Sequence, residues 1–277
     1  PPRSTLFPYT TLFRSPYFGM QNEIFARFWE IYKLDSISGQ WDYIEPALFG
    51  YAAGKLIESF TSFYHEHHNI VAQFHEWMTG TGILYLEKWA PWIATAFTTH
   101  ATVLGRCIAG TSRPLYSKMK EYNPVQIARE SNVVAKQSLE KISAAVADVF
   151  TTVSELTSRE CSHFLGKDVD MVTPNGFEDS FVPASDVFDE KRTTAREKLK
   201  SVAEAVLGYQ LPDDCLFLAL SGRYEYRNKG VDVFIDSVGE LKRKNDLRKQ
   251  CVAFILMPAY HKGPREDLIK ILYSGEE

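Results

Sequence analysis

The chain of 277 residues lacks the features that mark a membrane protein or a disulfide-stabilised secreted protein. It contains only four cysteines, and none of their spacings fits a metal-binding motif. These are Cys107, Cys161, Cys215 and Cys251. We predict that they are free thiols in a reducing compartment. No apolar run is long enough to span a bilayer, and no charged start with an apolar core indicates a signal peptide.

A strong charge of one sign is also missing. The 31 Lys and Arg residues nearly balance the 35 Asp and Glu residues, which leaves a formal net charge of -4. The chain as a whole therefore has no attraction for nucleic acid or for an anionic membrane. We predict neither as a partner, and we predict a cytoplasmic protein. Hydrophobic residues make up 45% of the chain, which is ordinary for a globular protein with a sizeable core.

Strand-length apolar segments alternate with segments of helical period along most of the sequence. The predicted strands are residues 69–74, 93–99, 148–153, 169–173, 216–220 and 251–257. The predicted helices include residues 22–32, 47–64, 125–146, 155–165 and 190–207, and residues 40–43 are predicted to form a loop. Such alternation is typical of α/β proteins with parallel sheets.

Two segments interrupt this regular pattern. Residues 1–15 repeat Thr-Leu-Phe without a helical or strand period, and we interpret them as a non-native leader translated from a sequencing adaptor. Residues 177–189 are acidic and irregular and contain Pro183, as expected of a linker between domains. We predict one domain over residues 16–183 and a second over residues 184–277, both incomplete.

Two histidines follow predicted strands of the first domain. His75 lies at the end of one strand and His100 at the end of the next, and Arg106 follows in an otherwise apolar stretch. The carboxyl ends of parallel strands form the ligand-binding edge of an open α/β sheet. Each histidine alone is as readily a hydrogen-bonded structural residue. The two together favour a ligand site.

A polar loop in the second domain connects a buried strand to an amphipathic helix. It reads SGRYEYRNKG over residues 221–230 and contains Gly222, Arg223 and Lys229. Arginine offers a planar fork to phosphate oxygens, lysine offers a compact charge, and glycine allows a close backbone approach. The loop therefore suits an anionic ligand. Taken alone, a solvated basic turn is the alternative interpretation.

Seven short segments between residues 49 and 259 give a more specific signal. They are FGY (49–51), VAQFHEW (71–77), FTTHATVLGR (97–106), ADVFTTVSELT (147–157), TPNGFED (173–179), SGRYEYRNKG (221–230) and AFILMPA (253–259). In wording, order and spacing they resemble the glycogen synthases of the animal and fungal type and their bacterial relatives. The resemblance covers nearly all of residues 20–277.

This resemblance implies two Rossmann-like domains that face each other across a cleft, the GT-B arrangement. Residues 16–183 would be the acceptor-side domain, and residues 184–277 the start of the nucleotide-sugar domain. The family transfers glucose, with retention, from a nucleotide diphosphate sugar to the 4-hydroxyl end of an α-1,4-glucan. The implied donor is UDP-glucose or ADP-glucose. No cofactor or metal is implied, and the parent protein is expected to be a homo-oligomer.

The resemblance also implies roles for individual residues. Arg223 and Lys229 match the family's diphosphate clamp, where fixed positive charge stabilises the departing nucleotide diphosphate. His100 and Arg106 match residues beside the donor sugar and its phosphates. The residues expected to line the substrate site are His75, Glu76, Asn175, Gly176 and Gly222.

Parts of the family pattern are missing from these 277 residues. They are an early Gly-rich loop with a lysine, a later pair of glutamates, and a late arginine-rich helix. We therefore expect no synthase activity from this polypeptide alone. The alternatives are another GT-B enzyme, such as a phosphorylase or a sucrose-forming synthase, and a non-catalytic remnant that binds glucan or nucleotide sugar.

Two polar patterns suggest metal binding but are better explained otherwise. Asp168 and Asp170 have the Asp-x-Asp spacing of metal-dependent transferases, yet they enter a predicted strand, where a solvated strand edge is the better interpretation. The histidine-rich residues 64–68 do not share one helix face, so they predict no metal site.

Overall fold

A computed structural model of the protein describes residues 17–64, 68–111, 113–244, 248–258 and 263–274. Its internal contacts divide the chain into two units, one ending at Asn175 and the other beginning at Gly176. The predicted boundary after residue 183 lies inside the second unit, and the roles given to the two domains stay predictions. The predicted leader, residues 1–15, lies outside the described residues.

The first unit is built on a parallel sheet whose four strands lie in chain order, β1-β2-β3-β4. The strands are β1 (Val71–His75), β2 (Ala94–Thr99), β3 (Val149–Thr152) and β4 (Met171–Val172). Each strand pairs in parallel with the next, so the chain must cross over through helices between them. The prediction of an α/β fold with parallel strands is confirmed.

Helices among the described residues of the first unit precede and connect these strands. They are α1 (Gln21–Tyr32), α2 (Trp41–Tyr64), α3 (Gly80–Trp89), α4 (Val103–Gly110), α5 (Leu115–Lys118), α6 (Pro124–Glu130), α7 (Val134–Val146) and α8 (Glu155–Glu160). A π-helical turn, Cys161–Leu165, continues α8 and ends at Gly166 in the left-handed conformation. Ser154 caps α8 by accepting a hydrogen bond from the Thr157 amide.

The prediction of one long helix over residues 125–146 is wrong. The chain forms α6 and α7 instead, and Asn132 between them has a positive φ of 54°. Asparagine tolerates this left-handed conformation better than most residues, and the conformation cannot continue a right-handed helix.

The predicted loop over residues 40–43 is also wrong, because α2 begins at Trp41 and runs through Pro46. The amides of Tyr43 and Ile44 donate to the Gln40 carbonyl, so a first turn forms ahead of the proline. Helix α3 was not predicted. Its first three residues, Gly80-Thr81-Gly82, have low helix propensity and conceal its start.

The main core of the first unit packs α1, α2, α3 and α7 against the sheet. Phe97 of β2 and Phe150 of β3 are fully buried and stack with ring centroids 5.6 Å apart. A second cluster joins α4, α5 and α6 with Phe164. The buried strands are therefore held in a fixed register, and their carboxyl ends share one edge of the sheet.

In the described part of the second unit, a two-stranded parallel sheet is accompanied by three α-helices. They are α9 (Phe188–Leu207), β5 (Leu216–Ser221), α10 (Val231–Lys244), β6 (Cys251–Leu256) and α11 (Glu266–Ser274). Arg196 of α9 anchors β5, since its guanidinium donates to the Asp213 carbonyl at 2.9 Å and lies 4.4 Å from the Phe217 ring centroid. The predicted strand, loop and helix around residues 221–230 are confirmed.

All four cysteines are free thiols, as predicted. Within the ranges that the structure describes, no helix combines the length and apolar character that a bilayer span requires.

Glycines allow α2 and α3 to approach very closely. A Cβ on Gly82 would lie 2.5 Å from Cε1 of Phe74 and 2.8 Å from the carbonyl oxygen of Gly50. The Gly50 oxygen belongs to the backbone of α2, so it cannot rotate away. By contrast, a Cβ on Gly110, at the end of α4, would have no neighbour within 4 Å.

We predict that Gly82→Ala lowers the free energy of unfolding of the first unit by about 1–3 kcal/mol, because the added methyl group overpacks the contact between α2 and α3. Urea unfolding followed by tryptophan fluorescence measures this selectively, since the five tryptophans all precede residue 93. The control Gly110→Ala should leave stability unchanged or slightly raised. Equal effects of the two substitutions would contradict the packing argument.

Candidate functional site

The two histidines predicted at strand ends meet at the carboxyl edge of the first sheet. His75 is the last residue of β1 and pairs in register with Thr98 of β2, which places His100 just beyond it. Nδ1 of His75 and Nε2 of His100 lie 3.0 Å apart in a hydrogen bond. One of these two nitrogens must donate and the other accept.

Glu76 holds this edge together through a strained backbone. Its φ of 64° and ψ of 159° fall in a region that residues other than glycine rarely adopt. Its amide donates to the Thr98 carbonyl at 2.9 Å. Its Oε1 accepts from the His100 amide at 3.2 Å and from Nη2 of Arg106 at 3.4 Å. Strain of this kind costs on the order of 1–3 kcal/mol and is typical of functional sites.

The side chains at this edge leave polar atoms available to a ligand. The Arg106 side chain is 49% exposed, whereas that of Glu76 is only 14% exposed. Among the described residues, Nε2 of His75 and Nδ1 of His100 have no hydrogen-bond partner. A guanidinium and two imidazole nitrogens can donate hydrogen bonds to anionic or hydroxyl oxygens. We refer to His75, Glu76, His100 and Arg106 as the edge cluster.

A buried carboxyl group supports the edge cluster from inside the protein. Glu140 of α7 is fully buried. Its Oε1 accepts from the Thr99 hydroxyl at 2.8 Å, and its Oε2 accepts from the Val103 amide at 2.9 Å. Glu140 therefore connects the last residue of β2 to the first residue of α4, on either side of His100.

Glu160, the last residue of α8, supports the following turn and is also buried. Its Oε2 accepts from the Thr102 hydroxyl at 2.7 Å, and its Oε1 accepts from the Tyr116 hydroxyl at 3.0 Å. Thr102 is the N-cap of α4 and accepts from the Gly105 amide at 3.0 Å. The helix that carries Arg106 is thus fixed at its start.

Burial, ahead of the charges of Glu76 and Glu160, raises the pKa of Glu140 to about 8, although hydrogen bonds from Val103 and Thr99 oppose the rise. Glu140 is therefore mostly protonated at neutral pH. The Val103 amide can only donate, but the Thr99 hydroxyl can donate or accept. Both oxygens of the carboxyl group remain satisfied in either protonation state.

Neither Glu140 nor Glu160 was predicted from the sequence to belong to this region. A signal was present, because Glu140 falls on the same helix face as Ser143 and Ala144, both of which are buried. A glutamate on an otherwise apolar face predicts a buried carboxyl group that needs partners. The partners themselves come from β2 and α4 and could not be assigned from sequence.

The second unit places its predicted residues on the loop after β5. The Lys229 stem packs over Gly222, where an added Cβ would lie 3.6 Å from Cδ of the lysine. Arg223 pairs with Glu225 at 3.1 Å. Gly230 has a positive φ of 67° and leads into α10. Among the described residues, no carboxylate pairs with the Lys229 ammonium group.

Other residues singled out by sequence lie elsewhere. Asn175 and Gly176 are exposed in an irregular segment after β4, at the division between the two units. Asp168 accepts from the Ser162 hydroxyl at 2.6 Å, and Asp170 accepts from the Phe150 amide at 2.7 Å. These two aspartates therefore have structural partners.

Metal ligation has no support in the part of the chain that the structure describes, where no three His, Cys, Asp or Glu residues come together as a possible metal site. The histidine-rich segment at residues 64–68 lies partly outside the described ranges.

Comparison with known proteins places these residues in a family. The family model for glycogen synthase matches residues 8–267. The chain belongs to the glycogen synthase family. All seven segments on which the sequence resemblance was based lie within the matched range, so that resemblance is confirmed. The match begins inside residues 1–15.

Individual glycogen synthases are similar over most of this chain. The glycogen (starch) synthase of Dictyostelium discoideum is 33% identical over 83% of this chain and 27% of its own length. The rat liver glycogen (starch) synthase is 36% identical over 69% of this chain and 28% of its own length. The Neurospora crassa enzyme is 31% identical over 93% of this chain and 36% of its own length. The matched part of the chain thus spans between 27% and 36% of the length of these relatives.

Among solved structures, the catalytic domain of Starch Synthase IV from Arabidopsis thaliana bound to ADP and acarbose is 17% identical, with a TM-score of 0.47. That match covers 80% of this chain and 48% of the other chain.

We predict that the stability of this glycogen synthase family chain falls as the pH rises from about 4.5 to about 8. The native protein retains the Glu140 proton up to about pH 8, whereas the unfolded chain releases it near the ordinary value of 4.5. The unfolded state therefore binds fewer protons within this window. The free energy of unfolding should fall by up to about 1.4 kcal/mol per pH unit from this group.

Urea unfolding at several pH values, followed by tryptophan fluorescence, tests this prediction. Glu140→Gln removes the ionisable group but keeps a donor and an acceptor, so its stability should depend less on pH over this window. The control Glu87→Gln removes an exposed carboxyl group of α3 and should retain the wild-type pH dependence. If the free energy of unfolding changes equally with pH in the wild type and in Glu140→Gln, the raised pKa assigned to Glu140 is refuted.

Proposed function

We propose that the protein to which this chain belongs acts in glucan synthesis as a retaining glycosyltransferase. It would transfer glucose from a nucleotide diphosphate glucose to the 4-hydroxyl end of an α-1,4-glucan. The observation that carries this proposal is the edge cluster, in which residues from β1, the end of β2 and α4 converge at the carboxyl edge of a parallel sheet. Membership of the glycogen synthase family supports this assignment.

The charges of the edge cluster suit the departing diphosphate. Breaking the bond between glucose and phosphate builds negative charge on the phosphate oxygens, and fixed donors that stabilise this charge lower the barrier. Arg106 is half-exposed and can donate two parallel hydrogen bonds to such oxygens. We assign His100 to the donor sugar and its phosphates, and His75 and Glu76 to the sugar-binding side.

The loop after β5 would supply the remaining positive charge. Lys229 is held over Gly222 by its stem, which leaves its ammonium group for a phosphate. The exposed Arg223 would exchange its partner Glu225 for a phosphate oxygen, an exchange of modest cost because surface ion pairs are weak. Asn175 and Gly176 are assigned a lining role only.

The proposal extends to the setting of the reaction. The donor is UDP-glucose or ADP-glucose, and the acceptor is an α-glucan. The reaction needs no resident metal or organic cofactor. We further propose that the parent protein is a cytoplasmic homo-oligomer.

We predict that Arg106→Ala and Lys229→Ala each weaken nucleotide-sugar binding by about 10–100-fold, the loss expected for one charge-assisted hydrogen bond. Isothermal titration calorimetry of the chain with UDP-glucose and with ADP-glucose measures this and identifies the donor. Arg129→Ala and Lys242→Ala are the matched controls, because each removes an exposed cation from the same unit.

Wild-type affinity in Arg106→Ala and Lys229→Ala would overturn their assigned roles. Binding of neither nucleotide sugar by the wild-type chain would overturn the proposed function for this polypeptide. An absorbance band from a lysine-bound pyridoxal phosphate in the parent protein would favour a phosphorylase instead.

A further inference from the structure

The segment that carries His100 is hydrogen-bonded to residues outside the edge cluster. His100 lies in a short connection between β2 and α4, and such connections are usually the mobile parts of a fold. Here the connection is bound on its inner side by two carboxyl groups from different helices. Glu140 binds Thr99 and Val103, and Glu160 binds Thr102.

We propose that Glu140 and Glu160 form a positioning pair, which fixes His100 against His75 and Arg106 against Glu76. Neither carboxyl group contacts a member of the edge cluster through a hydrogen bond of its own. Their effect is transmitted by the backbone of residues 99–105. The geometry of the positioning pair stands by itself, whereas its consequence for donor binding rests on the proposed function.

Glu140 fixes the two ends of the His100 connection. Thr99 is the last residue of β2 and Val103 is the first of α4, and each is hydrogen-bonded to a different oxygen of the same buried carboxyl group. The distance between strand end and helix start is therefore set by the width of one carboxyl group. Burying this group costs free energy unless both oxygens are satisfied, so the alternative arrangements of the connection are disfavoured.

Glu160 fixes the direction of α4. It accepts from the N-cap hydroxyl of Thr102, which in turn accepts from the Gly105 amide. The approach requires a glycine at position 105, since an added Cβ would clash with Oε2 of Glu160 and lie 2.7 Å from Oγ1 of Thr102. Arg106 is the next residue, so this contact sets the position of its backbone.

A purely structural role would predict only lower stability when the positioning pair is altered. The positioning role predicts in addition that His100 loses its hydrogen bond to His75 while the unit remains folded. Imidazole nitrogen and hydrogen resonances report this bond directly. His163 provides an internal reference, because its Nε2 lies 2.9 Å from the Tyr122 carbonyl and is bonded independently of the edge cluster.

The experiment compares the chain with its Glu140→Gln and Glu140→Leu variants by nuclear magnetic resonance after ¹⁵N-labelling of histidine. His75→Asn assigns the shared signal. We expect the His75–His100 signal to persist in Glu140→Gln, which can bond both partners, and to be lost in Glu140→Leu, with the His163 signal unchanged in both. Tryptophan fluorescence confirms that each variant is folded.

A second test compares Gly105→Ala with Gly110→Ala, two variants of the same helix. It decides whether the positioning role holds if Glu140→Leu does not fold. We expect the His75–His100 signal to shift or disappear in Gly105→Ala only. Retention of the wild-type signal in folded Glu140→Leu, or in Gly105→Ala when Glu140→Leu does not fold, would overturn the positioning role.

Titration of the same variants with UDP-glucose and ADP-glucose separates this inference from the proposed function. We expect affinity to fall at least tenfold wherever the His75–His100 signal is lost. Loss of the signal with unchanged affinity would support the positioning pair and overturn the assignment of the edge cluster to donor binding.

Discussion

The parallel register between β1 and β2 is the constraint on which the candidate site depends. Pairing of His75 with Thr98 brings the ends of two strands level at one edge of the sheet. The chain therefore leaves both strands at the same level of the sheet, and Glu76 and His100 become neighbours. This crowding affects both residues. Glu76 has a strained backbone, and the His100 amide donates a hydrogen bond to the Glu76 carboxylate.

That edge is polar on both its outer and its inner side, which is unusual in a sheet with buried aromatic residues. The threonine hydroxyls at the strand ends are paired within the protein. Thr98 bonds Thr151 at 2.8 Å, and Thr152 donates to the Thr99 carbonyl at 2.7 Å. Two buried glutamates complete the inner side. Because these threonine hydroxyls and both buried glutamates have partners, the inner side of the edge can be rigid without losing the hydrogen bonds that water would otherwise supply.

Different local contacts stabilise the parallel sheets of the two units. In the first unit, glycines allow α2 and α3 to pack at backbone distance, and large aromatic residues fill the space between strands. In the second, the buried core is small, and Arg196 contributes by covering Phe217 and bonding the carbonyl groups before β5. The positively charged loop of the second unit is exposed, and the stem of Lys229 packs over Gly222 there.

The sequence by itself determined the α/β class, the six strands, the family and the residues of the edge cluster. It could do so because strand burial, helical period and short motifs are local patterns. It did not determine the break at Asn132, where a single left-handed residue decides between one helix and two, or helix α3, whose glycines serve packing rather than propensity. The roles of Glu140 and Glu160 were decided only by the tertiary structure, because a buried carboxyl group is defined by partners that lie far away in the chain.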